Sequence, residues 1–438
     1  MATSPPYTRI DSSASTLVNG GSDGDSDSYH DLEEEKTSFA AADSTSAQHY
    51  LRRLAKAQNR RQLQYFLVLL GVSLLTFFRS GSFSLLPGSS SSSSSLTTPT
   101  VLPPYLVGPR PLTAPSGQPL YTSCSSAAFL RALSGAKIRE DGRSRTIDQS
   151  VVTNVDVPPL EFSFDFPWKE EEGGEGCELP RVWTKEEACE LMSAFGGLYV
   201  LGDSYSRHIL TALLIILHGR LDGAVNNFDT TDDCRGEHMF MDNKSCRTRV
   251  GHDTTLEPAP PVCGGKVEFK RMERWQVAGA FTNDTDDLVL FRGRLPASSQ
   301  QKSTVYLQSY GIHFNYHFPS VIPWLNAYKT YSDSKAIPRP ISLTVGPHHP
   351  PANQYPQYIP SQGPIPTGNF NDAMRHWADE HGSFTYVDIL SATNGSASPD
   401  GTHLAYQANM EKAMITLTLL DMQWAEIVKN GGMVELAA

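Results

Sequence analysis

Dense basic patches are missing from this chain of 438 residues. Lys and Arg number 36 against 47 Asp and Glu, a formal net charge of −11. No basic cluster carries interleaved aromatics, which excludes general nucleic-acid binding. Cysteine is scarce and one-sided: all six residues lie C-terminal to an apolar segment at Tyr65–Phe78. Cys234, Cys246 and Cys263 do not have Cys-x-x-Cys spacing, which favours disulfides over zinc. Three cysteines cannot pair among themselves, so at least one must reach outside that group if all are bonded. The Gly-x-Ser-x-Gly elbow of α/β-hydrolases is absent around Ser204, because residue 206 is Ser rather than Gly. Internal repeats are absent too.

What is present falls into segments. Residues 1–62 begin rich in Ser, Asp, Gly and Thr; such a stretch cannot bury enough apolar surface to offset its ordering entropy and reads as a disordered cytosolic tail. Arg52, Arg53, Lys56, Arg60 and Arg61 then flank the apolar run. Fourteen uncharged residues are short for a span. However, Arg79 is the sole charge between Leu63 and Leu86, and the basic flank is one-sided. We read 63–79 as a single-pass signal anchor of type II, in an ER or Golgi membrane. A serine run at Ser89–Ser95 and recurring prolines make 80–120 a stem. Residues 121–430 are then a luminal folded domain. Sequons at Asn243, Asn283 and Asn394 lie on the same side as the cysteines and agree with that topology.

Within the domain, strand and helix patterns alternate. Thr184–Ala194 opens with a Thr-x-x-Glu capping box and predicts a helix. Gly197–Leu201 predicts a buried strand and Tyr205–His218 a helix. Further strands are expected at Leu288–Phe291, Val305–Tyr310, Ile341–Val345 and Phe384–Ile389, with helices at Phe370–His381 and Leu404–Ile427. This pattern predicts an α/β layered domain with a mainly parallel sheet, whose site lies beyond the strand carboxyl ends.

Two stretches carry candidate chemistry. In Gly202-Asp203-Ser204, the serine sits where a strand turns into a helix and backbone N–H groups converge. In Asp400-Gly401-Thr402-His403, a carboxylate and an imidazole stand three residues apart. Ser204 needs a base to become a nucleophile; His403 can take its proton, and Asp400 can hold the imidazole tautomer. Taken singly, Asp400 is a turn residue and His403 a helix-start residue. Arg207 can bind substrate, but pairing with Asp203 near the helix start is the preferred reading. Pro347-His348-His349-Pro350 reads as a substrate-side loop, since adjacent histidines point apart. Asp284-Thr285-Asp286 matches the metal motif of glycosyltransferases, yet it overlaps a sequon and precedes a strand pattern, so it reads as an exposed turn.

The serine context resembles the GDS motif of the SGNH/GDSL hydrolase superfamily. More narrowly it is similar to the PC-esterase branch, which includes trichome birefringence-like polysaccharide O-acetyltransferases, neurexophilin-and-PC-esterase proteins and the luminal domains of sialic acid O-acetyltransferases. Gly202, Asp203, Ser204 and Arg207 give its Gly-Asp-Ser-x-x-Arg; Asp400 and His403 give its Asp-x-x-His. Trp183 and Cys189 stand where a Trp and a Cys precede the strand, and Tyr310–Pro319 resembles the branch's mid-domain Gly-x-His segment. The resemblance covers about 177–425, and the cysteine-rich stretch between the serine helix and Val305 has no counterpart in it. It implies an SGNH-like three-layer sandwich and an oxyanion hole. The Ser204 N–H is the first donor and Gly311 the candidate second. The usual Gly-x-Asn-Asp is absent, since His313 occupies the Asn place and Asn315 comes two residues later.

The resemblance and the topology together imply a membrane-anchored O-acyltransferase acting through a serine acyl-enzyme. The donor would be acetyl-CoA or an acetylated carrier, and the acceptor a glycan or polysaccharide. No metal or prosthetic cofactor is expected. An esterase using the same three residues is the first rival. A non-catalytic glycan-binding protein and a glycosyltransferase using Asp284 and Asp286 are the others.

Overall fold

A computed structural model describes residues 105–108, 125–139, 156–166, 181–226, 234–241, 244–247, 249–256, 260–273, 281–333, 338–350 and 356–432. The expected tail, membrane anchor and most of the stem, together with Cys124, Cys177 and Asn243, lie outside them. No described helix is long and apolar enough to cross a membrane.

The described chain begins with α1 (Ser126–Leu133), a short hairpin of β1 (Lys137–Ile138) and β2 (Phe164–Asp165), and α2 (Lys185–Ser193). Thr184 and Glu187 form the capping box at the start of α2. Next come β3 (Leu198–Gly202), α3 (Ser204–His218), β4 (Phe269–Glu273), α4 (Phe281–Arg294) and β5 (Val305–Ser309). Then α5 (Ile322–Asp333), β6 (Ile341–Val345), α6 (Pro364–His381), β7 (Thr385–Val387) and α7 (Tyr406–Lys429) complete the order. Five strands form one sheet in the order β4-β3-β5-β6-β7, every pairing parallel. The protein is thus mixed α/β with a parallel sheet. The strand order reverses at β3, so the crevice between the carboxyl ends of β3 and β5 is the topological switch point, where such sheets bind ligands.

Both faces of the sheet are covered. Val200, Leu307, Leu343 and Val387 point into a core with α3 and α7; Tyr199, Leu201 and Tyr306 point into a second core with α4, α5 and α6. Strands buried on both faces read as continuous apolar runs, which is why β3, β5 and β6 stand out in the sequence. Helix α3 has fourteen of its fifteen residues buried. It is wedged against α7, α2 and the sheet, so no solvent stripe remains.

Three expectations are corrected. Leu288–Phe291 is helical: Leu288 and Phe291 are fully buried while Val289 and Leu290 are 52% and 60% exposed, a spacing that fits a helix face and not a strand. Asp286 therefore lies exposed inside α4 rather than in a turn before a strand. Tyr105–Gly108, in the stretch read as stem, is part of the fold: Val107 is buried, Gly108 N–H donates to the Ala194 carbonyl at 2.7 Å, and Leu106 N–H donates to Ser303 Oγ at 2.8 Å. The sequence also conceals β4. Its Lys270 and Arg271 look like surface residues, but Lys270 Nζ reaches Asp287 at 2.6 Å and Arg271 reaches Glu273 at 2.9 Å, so their charges are matched where they are buried.

Among the described residues two disulfides form, Cys189–Cys263 and Cys234–Cys246. Cys263 is the member of the cysteine cluster that reaches outside it. Asn283 sits in α4. Asn394 is exposed at the end of the short helix Leu390–Thr393, and its Oδ1 lies 3.2 Å from His349 Nε2.

Candidate active site

Strand β3 ends at Gly202, and this position accepts no other residue. Its φ is +141°, and a Cβ there would sit 1.8 Å from the Ser309 carbonyl oxygen of β5. The tight approach of β3 and β5 turns the chain sharply into α3. Asp203 caps the helix, its Oδ1 accepting from Tyr205 N–H at 3.0 Å. Ser204 is the first helical residue, so its own N–H has no carbonyl partner within the helix.

The second part arrives from 199 residues away. His403 Nε2 lies 2.8 Å from Ser204 Oγ, and His403 Nδ1 lies 2.7 Å from Asp400 Oδ2. A carboxylate only accepts, so Nδ1 carries the proton and Nε2 is left as a lone pair facing the serine hydroxyl. Asp400 also organises its own turn. Its Oδ1 accepts from the N–H groups of Thr402 at 2.9 Å and His403 at 2.7 Å. Burial would raise the Asp400 pKa, but the His403 contact and these N–H groups outweigh it and hold the carboxyl at about 2. Ser204 and His403 are 4% and 6% exposed, so both lie almost wholly inside the fold.

Asp203 has a different environment. It is fully buried, and burial pushes its carboxyl up to about 7, against the pull of the Tyr205 and Ile312 N–H groups, the Arg207 charge and the Gly311 N–H. Its Oδ2 is buried with no hydrogen-bond partner among the described residues. Asn315, by contrast, is engaged away from Ser204: its Oδ1 accepts from Gln362 Nε2 at 3.1 Å. His313 is the exposed imidazole of the Gly311–Asn315 loop after β5. Its pKa is lowered to about 4, first by desolvation and then by the Arg247, His403 and Arg207 charges, against Glu273. Asn315 and Tyr316 follow with φ of 49° and 52°, two consecutive non-glycine residues in the left-handed region and a sign of a loop held by its surroundings.

Arg207 is not paired with Asp203 at the surface. It is 1% exposed, and its guanidinium reaches Glu273 Oε1, at the carboxyl end of β4, at 2.7 Å. Arg271 and Arg247 converge on the same carboxylate. Glu273 was not foreseen, because nothing in the sequence links residues 66 positions apart. Two further imidazoles lie close by. His208 lies one turn along α3 with its ring centroid 4.7 Å from that of His403. His348 is buried rather than in an open loop, its ring 4.1 Å from Tyr205. Burial lowers the pKa of both.

Among the described residues no group of three or more His, Cys, Asp or Glu is placed to hold a metal ion. A cavity of about 460 Å³ lined by Tyr105, Arg339, Ile341, Phe384 and Gln423 lies at the opposite, amino end of β6 and β7, remote from Ser204.

Fold and geometry together define a class, a parallel α/β protein with a hydrogen-bonded Ser–His–Asp chain at its switch point. No family model matches the chain, and no curated protein matches it significantly.

Proposed function

We propose that this chain is a serine acyltransferase of the SGNH type, in the PC-esterase branch, which transfers an acetyl group to a hydroxyl of a glycan or polysaccharide. The observation that carries the reading is the unbroken relay from Ser204 Oγ through His403 to Asp400, at 2.8 and 2.7 Å. The membrane anchor at 63–79 and a luminal ER or Golgi placement belong to the same proposal.

Ser204 Oγ attacks the donor carbonyl carbon while its proton passes to His403 Nε2. The resulting imidazolium is stabilised by Asp400. The tetrahedral oxyanion collapses, the C–O or C–S bond to the donor breaks, and the leaving group takes the proton from His403. An acceptor hydroxyl then gives its proton to His403 and attacks the acyl carbon, and Ser204 leaves with that proton restored. The Ser204 N–H is the first oxyanion donor. His313, neutral above about pH 4, is the side-chain donor in the place of the usual asparagine; a neutral imidazole polarises an oxygen by its N–H without giving up a proton. The acyl donor, acetyl-CoA or an acetylated carrier, is a substrate.

The test is intact mass of the full-length protein after exposure to an activated acetyl ester. A one-acetyl adduct or turnover that disappears in Ser204→Ala supports the proposal. A folded protein with neither, on activated esters or natural donors, sinks it. Decay of the adduct with sugar acceptors present or absent separates transfer from hydrolysis.

A further inference from the structure

His348 occupies an unusual position for an imidazole outside the relay. It follows β6 at the carboxyl edge of the sheet, in a loop fixed on both sides: Gly346 N–H donates to the Val387 carbonyl at 2.9 Å, and Asn371 Nδ2 donates to the Pro347 carbonyl at 3.1 Å. Its own carbonyl accepts from Tyr316 O–H at 2.9 Å. The Tyr316 hydroxyl is 3.2 Å from that of Tyr205, the residue after the nucleophile. At its other end, His348 Nε2 lies 3.3 Å from the Thr402 carbonyl oxygen, beside the base. A carbonyl oxygen only accepts, so Nε2 carries the proton. Nδ1 is then a lone pair, and it is buried with no partner among the described residues.

We propose that His348 is a positioning residue, whose Nε2–H holds the Thr402 carbonyl and so fixes the turn that presents His403 to Ser204. The inference rests on the serine acyl-enzyme reading above. The Asp400 turn is closed from inside by the Thr402 and His403 N–H groups; His348 closes it from outside, on the carbonyl of the same peptide unit. One rigid loop thereby braces the residue after the nucleophile and the residue before the base. Desolvation first, and then the Lys412 charge, against the Thr402 contact, keep the ring neutral. A neutral ring remains the single donor that this arrangement needs. Without it the Thr402–His403 peptide can rotate, and a displacement of about 1 Å at a reacting group costs on the order of 100-fold in rate.

The experiment is labelling of the full-length protein by a fluorophosphonate, in which Ser204 Oγ bonds to phosphorus, fluoride leaves and His403 takes the serine proton. The limiting rate of labelling and the concentration giving half that rate are measured separately. His348→Leu should slow the limiting rate about 100-fold at unchanged half-saturation. His348→Gln, whose amide N–H reaches the same carbonyl, should restore it to within about fivefold of the wild type. Tyr316→Phe, which removes one brace and leaves the imidazole, should slow it about fivefold. Equal limiting rates in wild type and His348→Leu, or equal losses in the leucine and glutamine variants, overturn the positioning role while leaving the acyl-enzyme reading intact. Wild-type protein that takes no label overturns the acyl-enzyme reading itself. If His348→Leu does not fold, by circular dichroism, the glutamine and Tyr316→Phe variants decide, and a full wild-type rate in Tyr316→Phe counts against the brace.

Discussion

Two loops close on Ser204, and they are built in opposite ways. Asp400–His403 is shaped mainly from within: one carboxylate accepts the N–H groups of Thr402 and His403 and the His403 ring, all within four residues. Gly311–Asn315 is shaped from outside. A Cβ on Gly311 would fall 2.5 Å from the Tyr316 ring, and Gln362 Nε2 donates to both the Ile312 carbonyl and Asn315 Oδ1. The first loop takes its turn from its own carboxylate and is secured from outside at the Thr402 carbonyl, beside His348. The second takes its shape only once β5 and the short helix Ile359–Gln362 are assembled around it. A local turn can be read as a motif, whereas a loop held by distant partners cannot.

Substitutions should separate the two loops by size of effect. Removing the relay, by Ser204→Ala or His403→Ala, should lower kcat by about a millionfold, measured as turnover of an activated ester. Asp400→Asn, which leaves the turn but reverses the tautomer, should cost about 10⁴-fold. On the other loop, His313→Ala should cost about 100- to 1,000-fold in kcat with KM little changed, as for one lost oxyanion donor. Asn315→Ala should stay within about twofold; a loss as large as that of His313→Ala would return the donor role to Asn315.

Stability sharpens the same contrast. Glu273→Gln leaves the buried Arg207 charge without its carboxylate and should destabilise by about 3 kcal/mol, read from denaturant midpoints. The Asp400 turn should show itself through acid. Its carboxyl lies at about 2 when folded against an ordinary 3.8, so the unfolded chain binds the proton first as pH falls. The stability that Asp400 contributes is complete above about pH 4 and is lost as pH falls through 2. Melting of Asp400→Asn across that window should be flatter than that of the wild type.

The parts of the molecule legible in sequence are those whose signals are short in range. Gly202-Asp203-Ser204 sits between a five-residue apolar strand and a buried helix, and Thr184 with Glu187 announces the start of α2. Strands β5, β6 and β7 are apolar runs, and α7 is a long one. Strand β4 was hidden because Phe269-Lys270-Arg271-Met272-Glu273 looks like surface until Asp253, Asp287 and Glu273 are placed around its cations. Helix α4 was read as a strand because four apolar residues in a row give no period by themselves, although only Leu288 and Phe291 are buried. Arg207 was given the nearest acid in sequence, whereas its true partner comes from the neighbouring strand. His348 stands out in sequence as one of two adjacent histidines between prolines, which points to an open loop; its contact is with a carbonyl 54 residues away.

The cysteine-rich stretch between α3 and β5 matches nothing in the acyltransferase pattern, and it would be natural to regard it as a removable accessory. Yet Glu237, within the segment bracketed by the Cys234–Cys246 disulfide, accepts the Tyr406 N–H at 2.9 Å and so caps the helix that follows the base. Phe240 from the same segment packs edge-on against both His208 and Tyr406. Farther along, the stretch delivers the carboxylate that neutralises Arg207. A chain trimmed to its motifs would keep Ser204, Asp400 and His403 and lose the foundation on which two of them stand. Any shorter protein with this chemistry must find another carboxylate for the strand end and another cap for the last helix.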